Sequence, residues 1–392
     1  MKMKTTIIWF MTKSFKEKIK VIISCGGTGG HIYPAIAVAN EIKRRNKMNE
    51  ILFIGSNDRM EMKIIPNHNV EIIGLWISGI KRTSLWENIF FLGIPFILKN
   101  LLLPIKLVSS IIRSIIIINS FKPDIVIGFG GYTSGPSLIA SILSRTTSAI
   151  QEQNSYPGIT NRYLGKKVNL VFVAFENLES FFSKKIYCYG NPIRSNLLNI
   201  NKLKRDAINF FGLNKNKKTL LIIGGSLGSK TINESVLNNL SKIKSSPYQV
   251  LWQTGKNYYN DILLKNDDIP SNIIFFPFIK EMNYAYASSD IIISRAGALA
   301  ISELCMVGKP VVLVPSPNVV EDHQTKNALY LKSTGACEVV KDQNARKDLI
   351  KKSFQLLNDK NKMKKLKKNI LLFSKPYATK KIVDKILDKI IL

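Results

Sequence analysis

A histidine that directly follows a cluster of glycines, Cys25-Gly-Gly-Thr-Gly-Gly-His31, is the first feature of this chain with chemistry in it. Gly26, Gly27, Gly29 and Gly30 let backbone approach a ligand with no Cβ in the way. Residues 20–24 ahead of them read as a buried strand, while Ile32, Ile36 and Ala39 mark the inner face of a helix that Pro34 can open. The turn therefore lies at a helix N-terminus, where free N–H groups and the positive end of the dipole favour phosphate. His31 stands at the mouth of that anion site with an imidazole able to exchange a proton with a bound substrate. The spacing fits neither the dinucleotide fingerprint nor the P-loop, which needs Lys-Ser/Thr. Taken alone, the turn has a second reading, a tight strand–helix connection with a solvent-facing histidine.

Similar loops recur. Gly128-Phe-Gly-Gly-Tyr-Thr-Ser-Gly-Pro136 and Gln151-Glu-Gln-Asn154 each follow a short apolar run, and Gly224-Gly-Ser-Leu-Gly228 follows Thr219–Ile223. Apolar runs at 51–56, 70–74, 124–128, 148–151 and 170–173 alternate with helical or turn segments, and runs at 219–224, 250–252, 273–276, 291–293 and 311–314 repeat the pattern. This alternation predicts α/β architecture with parallel sheets covered on both faces and ligands at the carboxyl ends of the strands. The break near Tyr189-Gly-Asn-Pro-Ile-Arg194 divides the chain into two Rossmann-like domains with parallel sheets facing across a cleft. The expected organisation is an N-terminal extension at 1–18, a first domain at 19–193 and a second at 194–375. An amphipathic final helix at 376–392 completes the first domain.

The formal charge of +30 would ordinarily suggest nucleic acid or an anionic membrane surface. Lys, Ile and Asn are abundant throughout, so a general drift in composition explains much of the excess, and no nucleic-acid partner is expected. Four widely separated cysteines with no CxxC pair suit a reducing compartment and no zinc site. Residues 7–11 are too short an apolar core for a signal peptide. Residues 89–118 are very apolar, but Pro95, Lys99, Pro104, Lys106 and Arg113 interrupt them, and no uncharged run reaches the roughly 18 residues of a span. With Trp76, Lys81, Arg82 and Trp86 ahead, the segment reads as a mixture of packed core and an amphipathic surface suited to an anionic bilayer interface.

Jointly, Gly26–His31, Gly131-Tyr-Thr-Ser-Gly-Pro136, Glu152-Gln-Asn154, Gly190-Asn-Pro-Ile-Arg194, Gly224–Gly228, Ser294–Glu303 and Asp322-His-Gln-Thr-Lys-Asn-Ala328 resemble, in order and from about Ile19 onward, the MurG glycosyltransferases of peptidoglycan synthesis. The resemblance implies the GT-B fold and an inverting transfer of N-acetylglucosamine from UDP-N-acetylglucosamine. The acceptor would be the C4 hydroxyl of the muramic sugar in undecaprenyl-linked lipid I, and the product lipid II. It implies a peripheral protein on the cytoplasmic face of the inner membrane, beside other cell-wall synthesis and division proteins, with no cofactor. Residue by residue, it carries Glu303 to the ribose hydroxyls, Ile279 to the uracil through its backbone, and Ala298, Leu299, Ala300, Ile301 and Ser302 to the nucleoside and sugar. Gln324 goes to the donor sugar, and Thr28 and Asn154 to the phosphate or acetamido region. Ser226 with its neighbouring N–H groups, and Arg194 by a charge-assisted contact, suit the diphosphate. No Asp-x-Asp occurs, so the leaving group is expected to rely on amides, Arg194 and a helix dipole rather than a metal.

His31 is the first candidate for the base that deprotonates the acceptor, Glu152 the second, and Tyr132 is expected to orient the acceptor. Two positions depart from the family pattern: Gln151 where His is frequent, and Leu227 where Gln is common. A UDP-sugar 2-epimerase of the same fold is the alternative activity. It gives no reason for the apolar, basic surface at 76–113. A nucleic-acid binder would leave three phosphate-type turns unexplained.

Overall fold

The computed structural model describes residues 18–79, 102–193, 197–198, 200–225, 227–265 and 268–391. Lys81, Arg82, Trp86, Pro95, Lys99, Arg194, Ser226 and the N-terminal segment before Lys18 lie outside the described residues. The chain forms two compact units, residues 1–193 with 377–392, and residues 194–376.

Among the described residues, the first unit holds a seven-stranded parallel sheet. Its strands are β1 (Lys20–Ser24), β2 (Glu50–Ser56), β3 (Glu71–Leu75), β4 (Ile125–Gly128), β5 (Ser148–Glu152), β6 (Leu170–Val173) and β7 (Tyr187–Cys188), in the order β3-β2-β1-β4-β5-β6-β7. Register runs Val21 to Ile51 on one side of β1 and Val21 to Ile125 on the other. Because both faces are covered, the strands read as nearly continuous Ile and Val. One face packs on helix Gly29–Arg45 through Ile32, Ile36 and Ala39. The final helix, Ala378–Ile391, adds Ile382, Val383 and Ile386 to that same core, and Arg45 pairs with Asp384 across the seam at 2.5 Å.

The other face carries helices Leu103–Phe121 and Gly131–Leu143. Helix Leu103–Phe121 is, by length and composition, apolar enough to cross a membrane. Yet Ser110, Ser114, Ile117 and Ile118 are buried, while Ile105, Val108, Ile112 and Ile116 are each more than half exposed. Among the described residues, one side is therefore core and the other an exposed apolar strip.

In the second unit, β8 (Thr219–Ile223), β9 (Gln249–Gln253), β10 (Ile273–Phe276), β11 (Ile291–Ser294), β12 (Val311–Leu313) and β13 (Glu338–Val339) form a six-stranded parallel sheet in the order β10-β9-β8-β11-β12-β13. Strand order reverses between β1 and β4 in the first unit and between β8 and β11 in the second. Those are the two places where an open parallel sheet leaves a crevice at its carboxyl edge. β7 and β13 went unread in the sequence. Each is two residues long on a sheet edge, too short to show a period.

Candidate active site

In the first unit the loops beside the reversal bring His31 and the second glycine turn together. His31 Nδ1 lies 3.0 Å from the Gly26 carbonyl oxygen and 3.3 Å from Thr28 Oγ1. A carbonyl can only accept, so Nδ1 carries the proton of the neutral ring and Nε2 keeps the lone pair. Gly130 and Gly131 hold φ of +88° and +77°, and a Cβ on Gly130 would stand 3.4 Å from Nε2. Backbone without side chains thus lines the imidazole. Tyr132, on the same turn, lays its ring against Gly27 and Gly79, and its hydroxyl is buried with no protein partner among the described residues. Thr28 and Gly30 are exposed at the start of helix Gly29–Arg45, and Gly29 is half-buried.

Two of the four glycines do something other than admit a ligand. The space a Gly26 Cβ would need is filled by Glu61, whose Oε1 would be 2.2 Å away. Gly27, at φ +83°, donates its N–H to Glu61 Oε2 at 3.1 Å. That N–H is spent on protein, which leaves an anion the first turn of the helix. Nothing in the sequence near Glu61 marked it, since the partner that ties it to this turn is a backbone N–H 34 residues away.

Glu152 is buried at 1% exposure. Its carboxylate accepts from Asn154 N–H at 2.8 Å, Asn154 Nδ2 at 3.2 Å, Gly158 N–H at 3.1 Å and Asn161 Nδ2 at 2.8 Å. Burial pushes its pKa up while these four donors pull it down, with burial the larger effect. A base needs a lone pair that reaches the substrate, and here the lone pairs fold the loop 154–161. The geometry suits an anchor for half-buried Asn154 rather than the second candidate base. Gln151 is fully buried: its Nε2 donates to Asn191 Oδ1 at 2.9 Å, and its Oε1 accepts from Gln153 Nε2 at 2.6 Å. Gln153 also donates to the Phe129 carbonyl at 2.8 Å, which ties the end of β5 to the second glycine turn.

The second unit gathers the donor-type residues at the carboxyl ends of β8, β10, β11 and β12. Gly225 and Gly228 have φ of +90° and +87°, and the Cβ position of Gly228 lies only 2.2 Å from the Thr254 carbonyl oxygen. Leu227 is exposed on this loop. Ser229 caps the next helix, its Oγ accepting from Ile232 N–H at 3.3 Å. Buried Gln253 joins two loops that sequence reading left separate: its Nε2 donates to the Gly225 carbonyl at 3.0 Å and its Oε1 accepts the Ile279 N–H at 2.9 Å. The Ile279 N–H is therefore engaged by protein, leaving its carbonyl as the backbone group for a base.

Helix Ala298–Val307 presents Ala298, Leu299, Ala300, Ser302 and Glu303 half-buried, while the Ile301 side chain is in the core at 1% exposure, so only its backbone can meet a ligand. Glu303 Oε2 accepts from Tyr286 OH at 3.1 Å, and Ser302 Oγ donates to the Ala298 carbonyl at 3.0 Å. Gln324 Oε1 accepts the Ser316 N–H at 2.9 Å. Arg295 joins these loops: it pairs with Asp342 at 2.5 Å, donates to Ser229 Oγ at 2.6 Å and reaches the Val314 carbonyl at 3.0 Å.

The models for the glycosyltransferase family 28 N-terminal and C-terminal domains match residues 21–173 and 219–382. A protein of Cytophaga hutchinsonii named UDP-N-acetylglucosamine–N-acetylmuramyl-(pentapeptide) pyrophosphoryl-undecaprenol N-acetylglucosamine transferase is 48% identical over 95% of this chain and 97% of its own. The crystal structure of Acinetobacter baumannii MurG is 28% identical, with a TM-score of 0.74 over 94% of this chain and 99% of that one. The UDP-GlcNAc 2-epimerase of Neisseria meningitidis superposes at a TM-score of 0.63 over 95% of this chain and 100% of that one, but at 16% identity it shares the fold alone. With both domain models matched in order and nearly half of its residues shared with a transferase along almost its whole length, the chain belongs to the MurG family of family 28 glycosyltransferases.

Proposed function

We propose that the protein transfers N-acetylglucosamine from UDP-N-acetylglucosamine to the C4 hydroxyl of the muramic sugar of lipid I, with inversion at the anomeric carbon, to give lipid II. The observation that carries the catalytic reading is the Nδ1–Gly26 hydrogen bond of His31, which leaves Nε2 as the proton acceptor beside a backbone-lined turn. Tyr132 and Thr28 stand on the two loops around that ring and suit orientation of the acceptor. Asn154, held by Glu152, suits the same task.

In the second unit, Glu303 receives the ribose hydroxyls, the Ile279 carbonyl the uracil, and the N-terminal part of helix Ala298–Val307 with Gln324 the donor sugar. Arg194 and Ser226 complete the diphosphate contacts in this reading. The protein would work as a peripheral protein on the cytoplasmic face of the inner membrane, in reach of other cell-wall synthesis and division proteins and so of cell shape. The support for a membrane contact is the uncovered strip Ile105, Val108, Ile112 and Ile116.

Incubation with UDP-N-acetylglucosamine and a lipid I analogue tests the activity. The expected result is acceptor-dependent release of UDP and a disaccharide-linked lipid. Epimerised sugar nucleotide formed without acceptor would overturn it in favour of the epimerase.

A further inference from the structure

Glu61 lies at the start of the short helix Glu61–Ile64, is fully buried, and bridges two backbone amides, Ser56 N–H at 3.0 Å and Gly27 N–H at 3.1 Å. Space for it is made by missing side chains: a Cβ at Gly55 would stand 2.7 Å from its Cγ, and one at Gly26 would strike its Oε1. The N–H of Gly27 and the carbonyl of Gly26 are two ends of one peptide group. That carbonyl is the acceptor for His31 Nδ1 at 3.0 Å. Carboxylate, peptide and imidazole thus form one hydrogen-bonded chain, Glu61 Oε2 to H–N of Gly27, and C=O of Gly26 to H–Nδ1 of His31.

We propose that Glu61 is a positioning residue for His31 that acts through the Gly26–Gly27 peptide, holding the ring in its Nδ1–H tautomer and raising the basicity of Nε2. An anion on the N–H end of an amide polarises it and makes its carbonyl a stronger acceptor, because hydrogen bonds in series reinforce one another in a low-dielectric interior. When Nε2 takes the acceptor's proton, the imidazolium that forms is stabilised along the same chain, as a carboxylate stabilises the histidine of a catalytic triad, here with one peptide interposed. A second group senses the same charge: the buried Cys25 thiol is pushed well up, first by burial and then by Glu61. Nearby, Thr28 Oγ1 touches the ring from its own helix, Tyr132 of the second glycine turn stands against Gly27, and Asn161, beside Gly130, donates to the Glu152 carboxylate.

The proposal rests on the transferase reading only for its kinetic consequence; the titration of His31 is independent of it. The chain has three histidines, His31, His68 and His323, so imidazole nitrogen NMR can resolve them. In the unaltered protein, neutral His31 should be protonated at Nδ1; an Nε2–H tautomer would overturn the proposal without any variant. In Glu61→Gln, which keeps the shape but removes the charge, the His31 pKa should fall by about half a unit to one unit. The acidic limb of kcat/KM should move down with it, and kcat should drop several-fold. UDP affinity, read in the second unit, should not change.

A folded Glu61→Gln protein with His31 titrating as before would sink the idea, whether or not its KM rose. A shifted His31 titration in a protein that transfers no sugar to lipid I would uphold the chain of hydrogen bonds and remove the transferase reading instead.

Discussion

Burial separates the carboxylates of the candidate site. Glu61 and Glu152 are buried, with two and four N–H donors on their carboxylates, whereas Glu303 is half-buried beside the Tyr286 hydroxyl. Glu303→Ala should therefore leave the fold intact and weaken UDP binding about tenfold or more, since a hydrogen bond to a charged group contributes about 1.5–3 kcal/mol. Calorimetric titration with UDP checks this, and an unchanged affinity would remove Glu303 from the site. For His31→Ala, turnover of a lipid I analogue should fall by about 10²–10⁴ with donor binding preserved. A raised KM with near-normal turnover at saturation would make His31 an orienting donor rather than a base. His31, Thr28 and Tyr132 were readable as candidates because they stand beside glycines at strand ends, whereas Ile279 and Gln324 have no such local signal and enter only through the family resemblance. Glu61, Gln253 and Arg295 were not readable, because they hold those loops from behind through Gly27, Ile279 and Ser229, which lie far from them in the chain.

One half-buried cation gives a pH signature. Lys309 is pushed down from 10.5 to about 8, first by burial, while its ammonium donates to the Ala287 and Ser289 carbonyls. The unfolded chain keeps that proton to higher pH, so between about 8 and 10.5 the unfolded state binds more protons and stability rises with pH. Cys305 and Cys337 of the same unit, each pushed up to about 12 by burial, oppose that contribution above pH 9, so the expected signature is a difference: the denaturant midpoint of the protein relative to that of Lys309→Met should climb between about pH 8 and 10.5.

Among elements, helix Leu103–Phe121 makes the sharpest separable claim. Replacing Ile105, Ile112 and Ile116 with Ser removes exposed apolar surface and leaves the buried Ser110, Ser114, Ile117 and Ile118 untouched. Sedimentation with anionic vesicles should drop while turnover of a soluble, short-chain acceptor stays the same; undiminished vesicle binding would move the membrane contact elsewhere. The loop ahead of helix Lys230–Leu237 depends on close backbone approach. Gly228→Ala puts a Cβ against the Thr254 carbonyl at a φ of +87°, so the second unit should lose stability by at least about 1–2 kcal/mol, the cost of a left-handed residue before the clash is added. Thermal unfolding measures it. Strands and long helices were legible because their apolar periods run for several residues. The two-residue edge strands β7 and β13 exist only through the neighbours they pair with.

For the molecule as a whole, the final helix belongs to the core of the first unit. Ile382, Val383 and Ile386 are fully buried there, and burial of each contributes about 1.5–3 kcal/mol, so ending the chain at Pro376 should cost the first unit at least about 4 kcal/mol. The second unit should be spared, and Trp252, buried within it and the one tryptophan of residues 194–376, reports on that unit separately.

The same return of the chain sets an order in time. A ribosome releases residues 18–193 long before Ala378, so the nascent first unit waits with an apolar groove on helix Gly29–Arg45 unfilled while all of the second unit emerges and can close its own sheet. Although it is synthesised first, the half that carries His31 is the last to be finished, and a stalled or truncated transcript leaves it with that groove open to the solvent.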